Sequence, residues 1–109
     1  MFHSKYKKQS MNKKTIEHMG NLKTLHLVLK RKWWDMIASG VKTEEYREYK
    51  PYYVGRFIVN DYSLVTFHLG YTNKIMIFKI KSIRVGEGRT EWGAEPGKQY
   101  FIIELGERL

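Results

Sequence analysis

Three side chains in the stretch Ser39 to Tyr53, SGVKTEEYREYKPYY, have the types and spacing to do chemistry: Lys42, Glu45 and Arg47. Lysine offers a point charge to a phosphate or a base carbonyl. Glutamate accepts from an exocyclic amine, as it does from cytosine N4. Arginine forks onto a phosphate or holds the glutamate in place. Together they would supply an anion site, a base-edge acceptor and an orienting cation, which are the parts of a nucleotide site. The same three charges could equally form an ion pair that fixes a strand edge, because charge runs are most often solvated faces. Glu44 and Glu48 read as surface counter-charges.

Strand alternation puts Glu45 and Arg47 on one face, whereas Lys42 has the opposite parity. Lys42 joins them only if it sits in the turn after Gly40, before the strand proper. The segment ahead supports such a turn. Leu25 to Leu29 reads as a buried strand, and RKWWDMIASG as a short helix from about Lys32 to Ser39. Trp33, Met36 and Ile37 would form its buried face, with Trp34 either core or an exposed platform, and Arg31 and Asp35 would pair outside at i, i+4. Gly40 suits the helix C-terminus.

Beyond the motif, Pro51 ends the extended run. Tyr52 to Asn60 fits either a short helix or an irregular loop. Strands follow from Asp61 to Leu69, from Lys74 to Val85 and from Gln99 to Leu105. In the second of these the alternation changes register midway, as a bulge would make it do. This pattern predicts an α+β, mainly β fold: a small barrel of about five to six strands with one or two short helices.

Basic residues interleaved with rings flank the motif. Lys50, Tyr52 and Arg56 follow it, and Trp92 lies beside Arg89 in the glycine-rich connection GEGRTEWGAEPGK. Cations for phosphates and rings for bases are what single-stranded nucleic acid requires. Tyrosines are also common half-buried core residues, and Trp92 would serve as a plug for the barrel end.

The bulk composition narrows the partners. The net charge is +9; residues 1 to 20 hold five lysines against Glu17, so four of the nine charges fall there and five on residues 21 to 109. Residues 1 to 20 are expected to be a solvated basic tail, with Met11 and Met19 as alternative starts, and residues 21 to 109 a single domain. A basic domain invites a polyanion partner. There is no cysteine, which fits a reducing, cytoplasmic setting, and no apolar run of membrane-spanning length. The four histidines show neither an i, i+4 pair nor a nearby carboxylate triad, so neither a metal site nor a cofactor is expected.

Gly40-Val41-Lys42-Thr43-Glu44-Glu45-Tyr46-Arg47 matches G-x-K-x-x-E-x-R, and over about residues 22 to 109 the chain resembles the ASCH domain family, in its small bacterial and phage members. Gly86-Glu87-Gly88, Trp92-Gly93-Ala94 and Tyr100 to Gly106 are similar as well. The resemblance implies a PUA-like barrel that binds RNA or nucleotides in the cleft where the motif lies. Leu69 departs from it, standing where an asparagine would be expected. One branch resembles amidohydrolases acting on N4-acetylated cytidine through a lysine, a threonine and a glutamate. Here Lys42 matches, but Glu45 stands at the threonine position and the helix bearing the glutamate is missing. A small hydrolase or ribonuclease using Lys42 and Glu45 is the alternative, although a carboxylate beside a lysine holds its proton on rather than freeing a base. A protein-interaction accessory domain is the third.

Overall fold

Leu25, Leu27 and Leu29 alternate with exposed His26 and Val28, so the segment folds as a strand with one apolar face. The computed structural model describes residues 23 to 109, and the expectations for the tail lie outside them. The strand is β1 (Thr24–Leu29), and helix α1 (Arg31–Ala38) follows at once. Then come β2 (Glu44–Glu48), α2 (Pro51–Val59), β3 (Leu64–Leu69), β4 (Ile75–Gly86), a 3-10 turn (Thr90–Trp92) and β5 (Tyr100–Arg108).

The five strands form one sheet in the order β1-β3-β4-β5-β2. β1 and β3 are parallel, joined through α1, β2 and α2; the other three pairings are antiparallel. The outermost strands, β1 and β2, are neighbours in sequence. The sheet curls until they come within side-chain reach, making a half-barrel that bears out the mainly β expectation.

Its concave side is packed by Leu25, Leu27 and Leu29 of β1, Val65, Phe67 and Leu69 of β3, Met76, Phe78 and Ile80 of β4, and Phe101, Ile103 and Leu105 of β5. Trp34 and Ile37 of α1 and Phe57 of α2 close this core. Of the adjacent tryptophans, Trp34 takes the core place, one of its two expected alternatives, while Trp33, expected on the buried face, is half-buried at the margin. Neighbours on a helix differ by only about 100°, and the position of β1 and β3 beneath α1 decides between them.

Pro51 ends the extended run and also opens α2 as its first residue, where its missing N–H costs nothing. Tyr52 to Val59 is therefore helical, and β3 begins at Leu64 rather than Asp61. In β4 the register against β5 shifts between Phe78 and Ile80 and again between Ile80 and Ser82, in keeping with the midway change of alternation in the sequence.

Candidate functional site

Helix α1 ends in a turn that carries the motif back onto it. The amides of Ser39, Gly40 and Lys42 donate to the carbonyls of Asp35, Ile37 and Met36, and Gly40 takes a φ of 84°. Lys42 therefore precedes β2, as its parity demanded, and its side chain turns inward. In the antiparallel register Glu45 faces Ile103 and Arg47 faces Phe101. Directly opposed residues share a face, so both point to the concave side. Where the other four strands put leucine, valine, phenylalanine, methionine and isoleucine, β2 puts a carboxylate and a guanidinium.

The structure brings the three predicted motif residues together. Lys42 Nζ donates to Glu45 Oε1 at 2.5 Å, and Arg47 Nη2 donates to Glu45 Oε2 at 2.9 Å. The lysine side chain is 1 % exposed, the glutamate 7 % and the arginine 20 %. Lys42, expected to offer a point charge to a ligand, is thus an ammonium enclosed by protein. The Trp33 ring lies 5.1 Å from its Nζ and the Tyr46 ring 5.3 Å, both with cation–π geometry. Arg47 Nη2 also donates to the Val28 carbonyl at 3.1 Å, while its Nε is buried with no hydrogen-bond partner. Two cations face one carboxylate, so the group carries one uncompensated positive charge.

The connection from Glu87 to Gln99 packs over the two rings that enclose Lys42. A Cβ on Gly88 would come within 2.8 Å of the Tyr46 ring, and one on Gly93 within 2.9 Å of Trp33. Gly93 also has a φ of 104°, a conformation that disfavours any side chain. The Tyr46 hydroxyl donates to Glu44 Oε1 at 2.8 Å and accepts from the Arg89 amide at 3.0 Å. Tyr46, Tyr100, Ile102 and Ala94 form a small second core, with Trp92 packed against it.

Burial pushes the Tyr46 hydroxyl up to about 12; the hydrogen bond from the Arg89 amide opposes this and the one to Glu44 adds to it. Glu44 is half-buried rather than a free counter-charge. Burial alone would raise its carboxyl, but the bonds from Arg84 and Tyr46 outweigh that and hold it below the ordinary range. Glu48, by contrast, pairs at the surface with Lys98 at 3.2 Å, as expected.

The remaining candidates separate into two groups. Trp92 is half-buried, with the Arg89 guanidinium 4.8 Å over its ring, close to the motif through Tyr46. Lys50, Tyr52 and Arg56 belong to α2 and its start: Lys50 lies 6.0 Å over Tyr53, and Arg56 donates to the Tyr52 hydroxyl at 2.7 Å. Tyr52 is 61 % exposed, while Tyr53 stacks inward on Phe57. Among the described residues, no direct hydrogen bond or ion pair joins this second group to Lys42, Glu45 or Arg47.

Sequence reasoning missed Trp33 and Tyr46 as walls around the ammonium. The signal for Tyr46 was its parity, opposite to Glu45 and Arg47. Among the described residues, no group of three or more histidine, cysteine, aspartate or glutamate side chains is placed to hold a metal ion, and no helix is long and apolar enough to cross a membrane. Comparison with family models, curated proteins and solved structures finds no match for this chain.

Proposed function

We propose that this chain is a nucleic-acid- or nucleotide-binding module of the ASCH type, taking its ligand where the end of α1, the motif and the 87–99 connection meet. The observation that carries this is the buried Lys42–Glu45–Arg47 group at the seam between β1 and β2. Burying ions is a poor way to gain stability, since apolar side chains of similar volume do as well or better. Its uncompensated positive charge and the unpartnered Arg47 Nε suit an anionic or acceptor-rich ligand. Rings faced by cations stand beside it: Trp33 with Lys32 at 4.8 Å and Trp92 with Arg89 at 4.8 Å. The remaining basic surface and the exposed Tyr52 with Arg56 would extend such a site along a strand of nucleic acid.

Lys42 sets the charge of the site and aligns Glu45; for it to touch a ligand, Trp33 or the connection must shift. The resemblance to bacterial and phage members and the lack of cysteine support a cytoplasmic setting for this module.

The test is an amide-shift titration of the full chain with short single-stranded RNA and, separately, with mononucleotides, at low and moderate salt. Saturable shifts centred on Lys42 to Arg47, Trp33 and Trp92 are expected, with RNA affinity falling steeply as salt rises. Absence of saturable shifts with either ligand overturns the proposal and leaves a protein partner as the better account of the basic surface.

A further inference from the structure

On the convex side of the sheet, away from the motif, the register sets His26 of β1 opposite Thr66 of β3, with His68 two residues farther along β3. These strands are parallel, so His26 and His68 form a diagonal pair on one face. Their ring nitrogens, Nδ1 of His26 and Nε2 of His68, lie 2.9 Å apart, with ring centroids 5.2 Å apart and planes tilted by 36°. Beneath them Thr66 is buried although it points away from the main core. Val28 and Ile75, which flank His68 in the same row of the register, are each about half exposed. The pair thus stands on an open face bordered by apolar side chains.

We infer that His26 and His68 form a divalent transition-metal site of the copper or nickel class. Imidazole is a preferred donor for these ions. Two nitrogens in adjacent positions of a square-planar or octahedral ion, each at roughly 2.0–2.1 Å, stand about 2.9 Å from each other, whereas a tetrahedral ion would spread them farther. The strands already hold the two rings within reach of one ion, so rotation of the side chains is the ordering that remains when it arrives. Both rings must rotate so that their lone pairs meet at one point. The proton now shared between the facing nitrogens moves to the other nitrogen of its own ring or leaves for solvent. Water fills the other coordination positions. The spacing of 42 residues between the histidines conceals the site from any local motif, which is why no metal site was expected from residue spacing.

The experiment uses the full chain carrying His3→Ala and His18→Ala, so that only this pair of imidazoles remains, with Ni2+ alone as the probe. Substoichiometric Ni2+ should broaden the ring signals of His26 and His68 and the amides of Val28, Thr66 and Ile75. Saturation should come at one ion per chain. Adding His26→Ala or His68→Ala should weaken binding on the order of a hundredfold, because the second donor no longer acts at high effective concentration. The bound ion should also raise the thermal midpoint of the parent chain but not of either variant, since it ties β1 to β3. Equal affinity in all three chains, or broadening centred elsewhere, overturns the assignment and leaves the pair as a hydrogen bond only. Both side chains lie on the surface face, so the variants are expected to fold; their thermal midpoints without metal check this. The outcome does not depend on whether RNA binds at the motif.

Discussion

The Arg47 guanidinium donates to the Val28 carbonyl at 3.1 Å and so ties β2 to β1, the two strands at opposite ends of the sheet. The same nitrogen, Nη2, holds Glu45 at 2.9 Å. One side chain therefore closes the half-barrel and orients the carboxylate of the candidate site.

Arg47→Ala should destabilise the fold by about 1.5–3 kcal/mol, the worth of hydrogen bonds made by a charged group. Arg47→Lys should recover only part of this, because an ammonium lacks the planar fork. Denaturant midpoints measure both. Equal stability of Arg47→Ala and the parent would show that the seam holds without its clasp.

Removing the shared carboxylate should be worse. Glu45→Leu leaves two buried cations without a counter-charge, at a cost of about 3–5 kcal/mol, whereas Lys42→Met keeps the Glu45–Arg47 pair and should cost less. The triple variant Lys42→Met, Glu45→Leu, Arg47→Met should be far more stable than the sum of the single losses implies, because no charge is left unpaired. If the group serves a ligand, this variant folds but no longer binds RNA or nucleotide. Chemical unfolding and the shift titration, run side by side, separate the two effects.

Tyr46 predicts an alkaline dependence. Its folded value of about 12 lies above the ordinary 10.0. The protonated hydroxyl is thus favoured in the folded state, and its contribution is whole below about pH 10. As pH rises from there through 12 the contribution is lost, since the unfolded chain gives up its proton first. Tyr46→Phe should flatten the stability profile in that window. At neutral pH it should cost about 1–3 kcal/mol, for the Arg89 amide and Glu44 lose their partner. Hydrogen exchange at the Arg89 amide should quicken. An unchanged exchange rate would mean that the connection is held by other contacts.

Glu44 predicts the acid counterpart. Its carboxyl is held below the ordinary 4.5, so its contribution is present above that value and is lost as pH falls through the folded value. Glu44→Gln should remove this part of the acid sensitivity, which acid titration of the unfolding midpoint would reveal.

For RNA, Trp92→Ala and Tyr52→Ala should each cost about 1–3 kcal/mol of affinity if the ring stacks on a base. Loss only in Trp92→Ala would confine the ligand to the motif and its connection. Loss in both would extend it to α2.

Much of this molecule follows from local pattern. Alternation marks Leu25, Leu27 and Leu29 as one face of a strand, and Gly40 marks the end of the helix that delivers Lys42. The midway change of phase in Ile75 to Val85 announces the register shift of β4. These features need only near neighbours, because side-chain direction repeats every two residues in a strand and every 3.6 in a helix. What lay beyond the sequence depended on which elements meet. Parity placed Glu45 and Arg47 together but not on the concave side; pairing with Ile103 and Phe101 of β5 did that. Trp33 and Trp34 are equally apolar, and their roles were assigned by the sheet under α1. The enclosure of Lys42 required Trp33, Tyr46 and the distant Gly88 and Gly93 to converge. His26 and His68 became a pair only when β1 and β3 aligned in parallel. The chain's chemistry is written in its residue types, but long-range strand pairing set which charges are buried and which rings and imidazoles face one another.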